Sequence, residues 1–150
     1  MQNVSLGNTT IKVSRVAFGC WRIGDIRPGK KSPPDEAAGR RAVISAYEAG
    51  INFFDHADIY SEGRGELIFG QVLRQVHRMR DEVVIASKCG IRKAGDPVPT
   101  APYRYDFSAS YIIKSCERSL KRLGVDRIDL YQLHRPDFLM EPEEVAGAAR

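Results

Sequence analysis

Three ionisable side chains stand where apolar, strand-like runs of the sequence end: Asp55, Lys88 and His134. In parallel α/β folds, the carboxyl ends of neighbouring strands are the place where chemical groups are assembled. We therefore expect these side chains to meet at one edge of a sheet. Asp55 and Lys88 would lie on neighbouring strands, and we expect them to pair because a partly buried ammonium without a partner is costly.

Tyr60 follows Asp55 closely, in the segment Asp-His-Ala-Asp-Ile-Tyr. A short loop would fold its hydroxyl back over the same strand ends. A tyrosine phenol ionises at about pH 10 in model peptides, so alone it is a poor acid–base catalyst at neutral pH, but a nearby ammonium favours the phenolate. Together, Asp55, Tyr60, Lys88 and His134 predict a proton-donating centre for a polarised carbonyl. That is the chemistry of aldehyde or ketone reduction.

Strand-like and helical segments alternate along the chain and would position these residues. The β-rich runs are Val16–Gly19, Ile51–Phe54, Val83–Ser87 and Ile128–Leu133, after a hairpin expected around Gly7-Asn8. Helices are expected from Ser32 to about Ala49, over Glu66–Leu73, from Ser108 or Ser110 to Gly124, and from Glu141 onward. Strands separated by helices are parallel and have right-handed connections.

This order predicts an α/β fold, either a doubly wound sheet or a (β/α) barrel. A dinucleotide-binding doubly wound sheet would carry GxGxxG after its first strand, and Phe18–Gly24 does not supply it. The barrel is therefore favoured. The segment from Ile91 to Asp106, which is rich in proline and glycine, is expected to be an irregular loop, either a flap on the substrate side or a surface excursion.

Length and composition indicate an ordinary globular protein. The chain has 150 residues, of which 43% are hydrophobic, and a net charge of +4, which predicts one domain over residues 1–150. The basic residues lack interleaved aromatics, so no nucleic-acid partner is expected, and no apolar run is long enough to predict a membrane span. Cysteines without CxxC spacing and an N-terminus without a signal-peptide pattern predict reduced thiols and a cytoplasmic location.

Several motifs occur in the order of a known family. Asn52–Tyr60, followed by Glu66 and Gly70, resembles the signature around the catalytic aspartate and tyrosine of the aldo-keto reductase superfamily. Val84–Gly90 is similar to the family's catalytic-lysine strand, and Ser119–His134 resembles its third helix and histidine strand. The residues of these motifs are especially similar to those of bacterial YdhF-type oxidoreductases. The resemblance extends over nearly the whole chain.

The resemblance implies a fold and a reaction. The fold would be α/β, the N-terminal half of a (β/α)₈ TIM barrel with parallel strands, truncated after the fourth strand. The reaction would be NADPH-dependent reduction of a small-molecule aldehyde or ketone to an alcohol. Tyr60 would be the general acid, Lys88 would lower the energy of its ionised form, Asp55 would hold Lys88, and His134 would orient the carbonyl.

The same resemblance implies a cofactor contact around the turn after the first strand. Gly19, Cys20 and Trp21, together with Asp55, would lie beside the cofactor. Cys20 stands where many family members have threonine, so a hydroxyl contact is not expected at this position.

Length leaves alternatives open, because a (β/α)₈ barrel needs about 250 residues. The chain would then be a catalytically inactive reductase-like fragment or a binding module rather than an enzyme, and its open sheet edges would favour self-association. A metal site at His56 and Asp58 is a further alternative, but no second histidine in HxH spacing supports it, so no metal is expected. Glu66 and Gly70, taken alone, also fit a helix-surface charge and a packing position.

Overall fold

Four parallel β-strands with helices packed against one face form the centre of the protein in the computed structural model, which describes residues 1–24 and 35–149. The strands are β1 (Asn3–Ser5), β2 (Lys12–Ser14), β3 (Phe18–Gly19), β4 (Phe53–Asp55), β5 (Val84–Cys89), β6 (Ile91–Arg92), β7 (Arg104–Tyr105) and β8 (Leu130–Leu133). The helices are α1 (Glu36–Glu48), α2 (Arg64–Gln75), α3 (Met79–Glu82), α4 (Ala109–Leu123) and α5 (Pro142–Ala148).

The central sheet has the strand order β3-β4-β5-β8, and all its neighbouring strands are parallel. Gly19 lies opposite Asp55, and Lys88 lies opposite Gln132. The antiparallel hairpin β1–β2 precedes the sheet, as the sequence around Gly7-Asn8 predicted. The alternation of strands and helices therefore gives the predicted parallel sheet, and the carboxyl ends of its strands share one edge.

Successive side chains along each strand point to opposite faces of this sheet. On the face that we call the helix-covered face, Phe54, Ile85, Ser87 and Cys89 are fully buried. On the face that we call the open face, Ala86 is also buried, but the larger side chains keep part of their surface in solvent, namely Phe53, Asp55, Val84, Lys88 and Gln132. One face therefore belongs to the core, whereas the other presents polar side chains at the carboxyl ends.

Apolar packing on the helix-covered face holds the sheet in register. The larger cluster joins α1, α2 and the sheet, and in it the rings of Phe54 and Phe69 lie 4.9 Å apart. A smaller cluster around Cys89, Phe107 and Ile112 packs against α5 and the end of β8. Full burial of one such large apolar side chain contributes about 1.5–3 kcal/mol. A shift of one residue in the register of a strand would turn its core side chains to the opposite face, and this contribution would be lost at each of those positions.

Local hydrogen bonds define the ends of the helices. Asp35 caps α1 by accepting a hydrogen bond from the amide of Ala38 at 2.8 Å, whereas the predicted start at Ser32 lies outside the described residues. Of the two serines predicted to begin α4, Ser108 is the one at its N-cap. Gly124 ends α4 in the left-handed conformation, with φ of 69°. None of the described helices has the length and apolar character needed to cross a bilayer.

The segment from Ile91 to Asp106 was predicted to be irregular, and this prediction is wrong at its two ends. Strands β6 and β7 form a short antiparallel hairpin there. The guanidinium of Arg92 lies between the carboxylates of Asp96 and Asp106, with both contacts at 2.9 Å. These paired charges hold the hairpin closed despite the turn-forming residues between its strands. Lys93 pairs with Glu62 at 3.2 Å, so the hairpin also touches the loop that follows β4.

Candidate active site at the carboxyl ends of the strands

The carboxyl edge of the sheet brings the four predicted catalytic residues together. Asp55 is the last residue of β4, Lys88 is near the end of β5, and His134 follows β8 directly. The amide of His134 donates to the carbonyl of Cys89 at 2.9 Å, which continues the pairing of β8 with β5 past the end of the strand. Tyr60 comes from the loop after β4.

Lys88 and Asp55 form the predicted pair. The Lys88 Nζ donates to Asp55 Oδ1 at 2.7 Å and to the backbone carbonyl of His56 at 2.7 Å. The Lys88 side chain is only 14% exposed, and a charge in such a position is stable only when it is paired and hydrogen-bonded. The two acceptors fix the ammonium at the end of β4, beneath the loop that carries Tyr60.

The Tyr60 ring lies beside this ammonium and contacts two further aromatic rings, those of His134 and Trp21. The Lys88 Nζ lies 5.2 Å from the centre of the Tyr60 ring. The His134 ring meets the Tyr60 ring edge-on, at 5.6 Å between centres, and the Trp21 ring lies 6.3 Å from the Tyr60 ring. The arrangement brings a phenol, an imidazole and an ammonium close together, and each of these groups can act in general acid–base catalysis.

The electrostatic surroundings of His134 favour a neutral imidazole. Burial lowers the pKa of His134, and the charges of Lys88 and Arg135 lower it further, against a smaller opposing effect of Asp55. Its Nδ1 is buried and has no hydrogen-bond partner within the described residues. A neutral imidazole has one donor and one acceptor nitrogen. His134 can therefore donate a hydrogen bond to a carbonyl oxygen without carrying a charge.

The residues expected beside the cofactor differ in what they offer to a ligand. A Cβ added at Gly19 would meet no atom within 4 Å, so the space beside the end of β3 is open. The Trp21 ring is 60% exposed, and the Arg22 guanidinium lies 4.8 Å from its centre. Cys20 is fully buried, and burial raises the pKa of its thiol well above the ordinary value. Its side chain is therefore a core group, and a ligand would meet this residue only through its backbone.

Three residues near the site have environments that sequence reasoning missed. Glu66 was interpreted as a possible helix-surface charge, yet it is fully buried. His56 is also fully buried, and burial, with the charge of Lys88, lowers its pKa to about 3. Burial raises the pKa of Asp58 to about 6, and the charge of Glu66 adds to the effect. The sequence signals for Glu66 were its place in the motif around Tyr60 that carries the family resemblance and its position among the apolar residues of a helix.

The alternative metal site at His56 and Asp58 gains no support from the described residues. His56 is enclosed by the core, where its ring lies 4.6 Å from that of Phe69. Within residues 1–24 and 35–149, no group of three or more His, Cys, Asp or Glu side chains is placed to hold a metal ion.

Comparison with known proteins agrees with this geometry. The chain matches the aldo/keto reductase family over residues 15–149. It belongs to that family. This aldo/keto reductase chain is 43% identical over 147 residues to the 6-dehydroglucose reductase of Novosphingobium aromaticivorans, a match that covers 94% of the chain and 44% of the relative. It is 33% identical over 152 residues to the oxidoreductase YdhF of Escherichia coli, covering 99% of the chain and 47% of the relative.

A solved structure shows the same fold. The aldo-keto reductase of Bacillus halodurans in its holo form matches with a TM-score of 0.82 and 34% identity, over 99% of this chain and 45% of that one. The predicted fold, a parallel α/β structure equivalent to the N-terminal half of a (β/α)₈ barrel, is thereby confirmed. The resemblance to the aldo-keto reductases and their YdhF-type members is confirmed as well. The chain spans less than half the length of each of these three relatives.

Proposed function

We propose that this chain carries the proton-donating half of an NADPH-dependent carbonyl reductase site, in which Tyr60 is the general acid. The observation that supports this most is the hydrogen bond of Lys88 to Asp55, with the Tyr60 ring close to the same ammonium and the His134 ring against that of Tyr60. Family membership supports an oxidoreductase, and carbonyl reduction fits the chemistry of these groups.

Each of the four residues has one role in this proposal. The Tyr60 hydroxyl donates a proton to the carbonyl oxygen as negative charge develops there. The Lys88 ammonium stabilises the phenolate that remains, because an opposite charge nearby favours the ionised form. Asp55 and the carbonyl of His56 hold the ammonium in place. Neutral His134 donates a hydrogen bond that orients the carbonyl.

The described residues fit the nicotinamide end of the cofactor. The exposed ring of Trp21 lies 6.3 Å from the Tyr60 ring, and the open space beside Gly19 lies opposite Asp55. Trp21, Gly19, the backbone of Cys20 and the carboxylate of Asp55 would hold this end. When bound, the cofactor supplies the hydride for the carbonyl carbon. The choice of NADPH rather than NADH follows from the family resemblance.

A small aldehyde or ketone is the expected substrate, and sugar aldehydes are the first compounds to test. A relative that is 43% identical over 147 residues is a 6-dehydroglucose reductase. The single-domain organisation over residues 1–150, the cytoplasmic location and the lack of nucleic-acid and membrane partners belong to the same proposal. Self-association through the edges of the sheet is part of it too.

Titration of the purified 150-residue chain with NADPH, followed by nicotinamide fluorescence, tests the proposal together with turnover of a 6-dehydroglucose substrate. We expect saturable binding, and turnover that falls by about 10²–10⁴-fold in Tyr60→Phe while NADPH binding is kept. Tyr47→Phe is a matched control, because Tyr47 lies in α1 and donates to Glu82 far from the site, and it should not change the rate. Binding without turnover would favour the binding-module alternative. A folded chain that does not bind NADPH would overturn the proposal for this chain.

A further inference from the structure

A fully buried carboxylate lies directly behind the candidate active site. Glu66, in the first turns of α2, has no exposed surface. Its Oε1 accepts a hydrogen bond from the Ser87 hydroxyl at 2.6 Å, and its Oε2 accepts one from the Arg122 Nε at 2.6 Å. Removing one partner from such a buried pair leaves an uncompensated charge, which is strongly unfavourable. The pair therefore holds three elements, α2, β5 and α4, at fixed separations.

Both partners of Glu66 adjoin a proposed catalytic residue. Ser87 immediately precedes Lys88 in β5, so its hydrogen bond to Glu66 anchors the strand at the position of the ammonium. Arg122 packs against the turn that follows Tyr60. A Cβ placed on Gly63 would lie 2.7 Å from Arg122 Cδ and 2.8 Å from its Nε. The turn and the guanidinium are thus in direct contact, with no room for a side chain between them.

The turn after Tyr60 has an unusual backbone that needs such support. Ser61 and Glu62 have φ of 47° and 59°, and Gly63 has φ of 86°. Non-glycine residues rarely adopt this left-handed conformation, and they keep it only where the surrounding structure imposes it. Glu62 also pairs with Lys93, but both of those side chains are more than half exposed, and exposed pairs contribute little. The buried side of the turn, at Arg122, is therefore the rigid support.

We propose that the Glu66–Arg122 ion pair is a positioning device for the reaction: through Ser87 it fixes Lys88, and through Gly63 it holds the strained turn that places the Tyr60 hydroxyl. Neither residue touches the cofactor or the substrate in this scheme. The catalytic consequence rests on the proposed function, whereas the effect on the turn does not depend on it.

Hydrogen exchange of the 150-residue chain tests the effect on the turn without any activity. In Glu66→Gln, the amides of residues 60–65, which include the bond from Glu62 N to the Ile59 carbonyl at 3.1 Å, should exchange about tenfold faster or more. Asp129→Asn is the matched control. Asp129 also accepts from an arginine, Arg80, at 3.0 Å, and from the amide of Ile85. It precedes β8 and therefore lies at the opposite end of the sheet.

The control variant should lose stability but leave the exchange of residues 60–65 unchanged relative to the rest of the chain. Equal relative exchange of that segment in folded Glu66→Gln and in wild type would overturn the proposal, whether or not the chain is a reductase. If Glu66→Gln does not fold, Arg122→Lys replaces it. The lysine keeps a positive charge but lacks the Nε that donates to the Glu66 carboxylate, and it should loosen the same segment selectively.

A kinetic measurement separates positioning from general destabilisation. Where the wild-type chain turns over substrate, Glu66→Gln should lower kcat about tenfold or more at nearly unchanged KM, and Asp129→Asn should retain kcat at a temperature where both variants are folded. A fall in kcat of the same size in both variants would overturn the catalytic part of the proposal. If the wild-type chain does not turn over substrate, the proposed function is contradicted. The hydrogen-exchange result would still test the effect of the ion pair on the turn.

Discussion

The two faces of the central sheet differ sharply although the same strands build both. Phe54 on the helix-covered face is fully buried, whereas its neighbours in β4, Phe53 and Asp55, keep contact with solvent on the open face. In β5, Ser87 is fully buried and Lys88 is not. Because the side chains alternate, the apolar packing of one face sets the direction in which the polar groups of the other face point. Stability and chemistry are therefore divided between alternate residues.

Shortening each of the two phenylalanines in β4 is the strongest way to test this division. Phe54→Ala removes a fully buried ring that lies 5.8 Å from Phe18 and 4.9 Å from Phe69. We expect it to lower the free energy of unfolding by about 3–5 kcal/mol, through lost burial and the cavity left behind. Urea denaturation followed by circular dichroism measures this loss.

Phe53→Ala is the control for the same ring on the opposite face. Because Phe53 is only partly buried, its replacement should cost well under half as much as that of Phe54. Equal losses for the two variants would show that the open face is packed as tightly as the helix-covered one, and the proposed division would be wrong.

Two titrating residues, one in the core and one at the carboxyl edge, should make the stability of the protein depend on pH in opposite directions. The pKa of His56 falls from 6.5 to about 3 in the folded protein. Its contribution to stability is present above pH 6.5 and is lost as the pH falls toward 3. The pKa of Asp58 rises from 3.8 to about 6, so its contribution is present below pH 3.8 and is lost as the pH rises through 6. Between these limits the two effects oppose each other.

Replacing either residue should reveal the pH dependence of stability that the other one causes. Relative to wild type, the free energy of unfolding of Asp58→Asn should rise by about 1.4 kcal/mol per pH unit between pH 4 and 6, and that of His56→Leu should fall by about the same amount. Urea titrations at three pH values in this range measure both slopes. Parallel curves for wild type and both variants would contradict the assigned burial of these side chains.

The smallest expected effect comes from the strained turn at the carboxyl edge. Ser61→Gly relieves a left-handed serine and should raise the free energy of unfolding by about 0.5–1 kcal/mol. The same substitution at Ser45, exposed in the last turn of α1, should instead lower it by about 0.5 kcal/mol. Thermal unfolding of both variants gives the two signs. A loss of stability in Ser61→Gly would mean that the turn is not strained.

Local signals predicted most of the fold and the central contact of the site. The apolar runs gave the parallel strands, and the rule that parallel strands share a carboxyl edge predicted the pairing of Asp55 with Lys88, which the structure confirms at 2.7 Å. The burial of Glu66 was not predictable in this way. Its partners, Ser87 and Arg122, lie 21 and 56 residues away along the chain, and only the packing of α2 against α4 brings them together.

The segment between β5 and α4 shows a second limit of sequence reasoning. Glycine and proline indicated an irregular loop, but Arg92 bridges Asp96 and Asp106 and closes a short hairpin there. Side-chain pairing across a loop leaves no periodic signal, so composition alone described the middle of the segment and missed its ends. The environment of Cys20 was hidden for a similar reason, because its burial depends on helices that come later in the chain.

The position of Trp21 has a practical consequence. It is the single tryptophan of the chain, its ring is largely exposed, and it lies 6.3 Å from the Tyr60 ring. Fluorescence excited selectively in indole therefore comes from one residue, which lies beside the candidate active site. Emission spectra and collisional quenching of the unlabelled protein will report ligand arrival and local rearrangement there, with no background from the core.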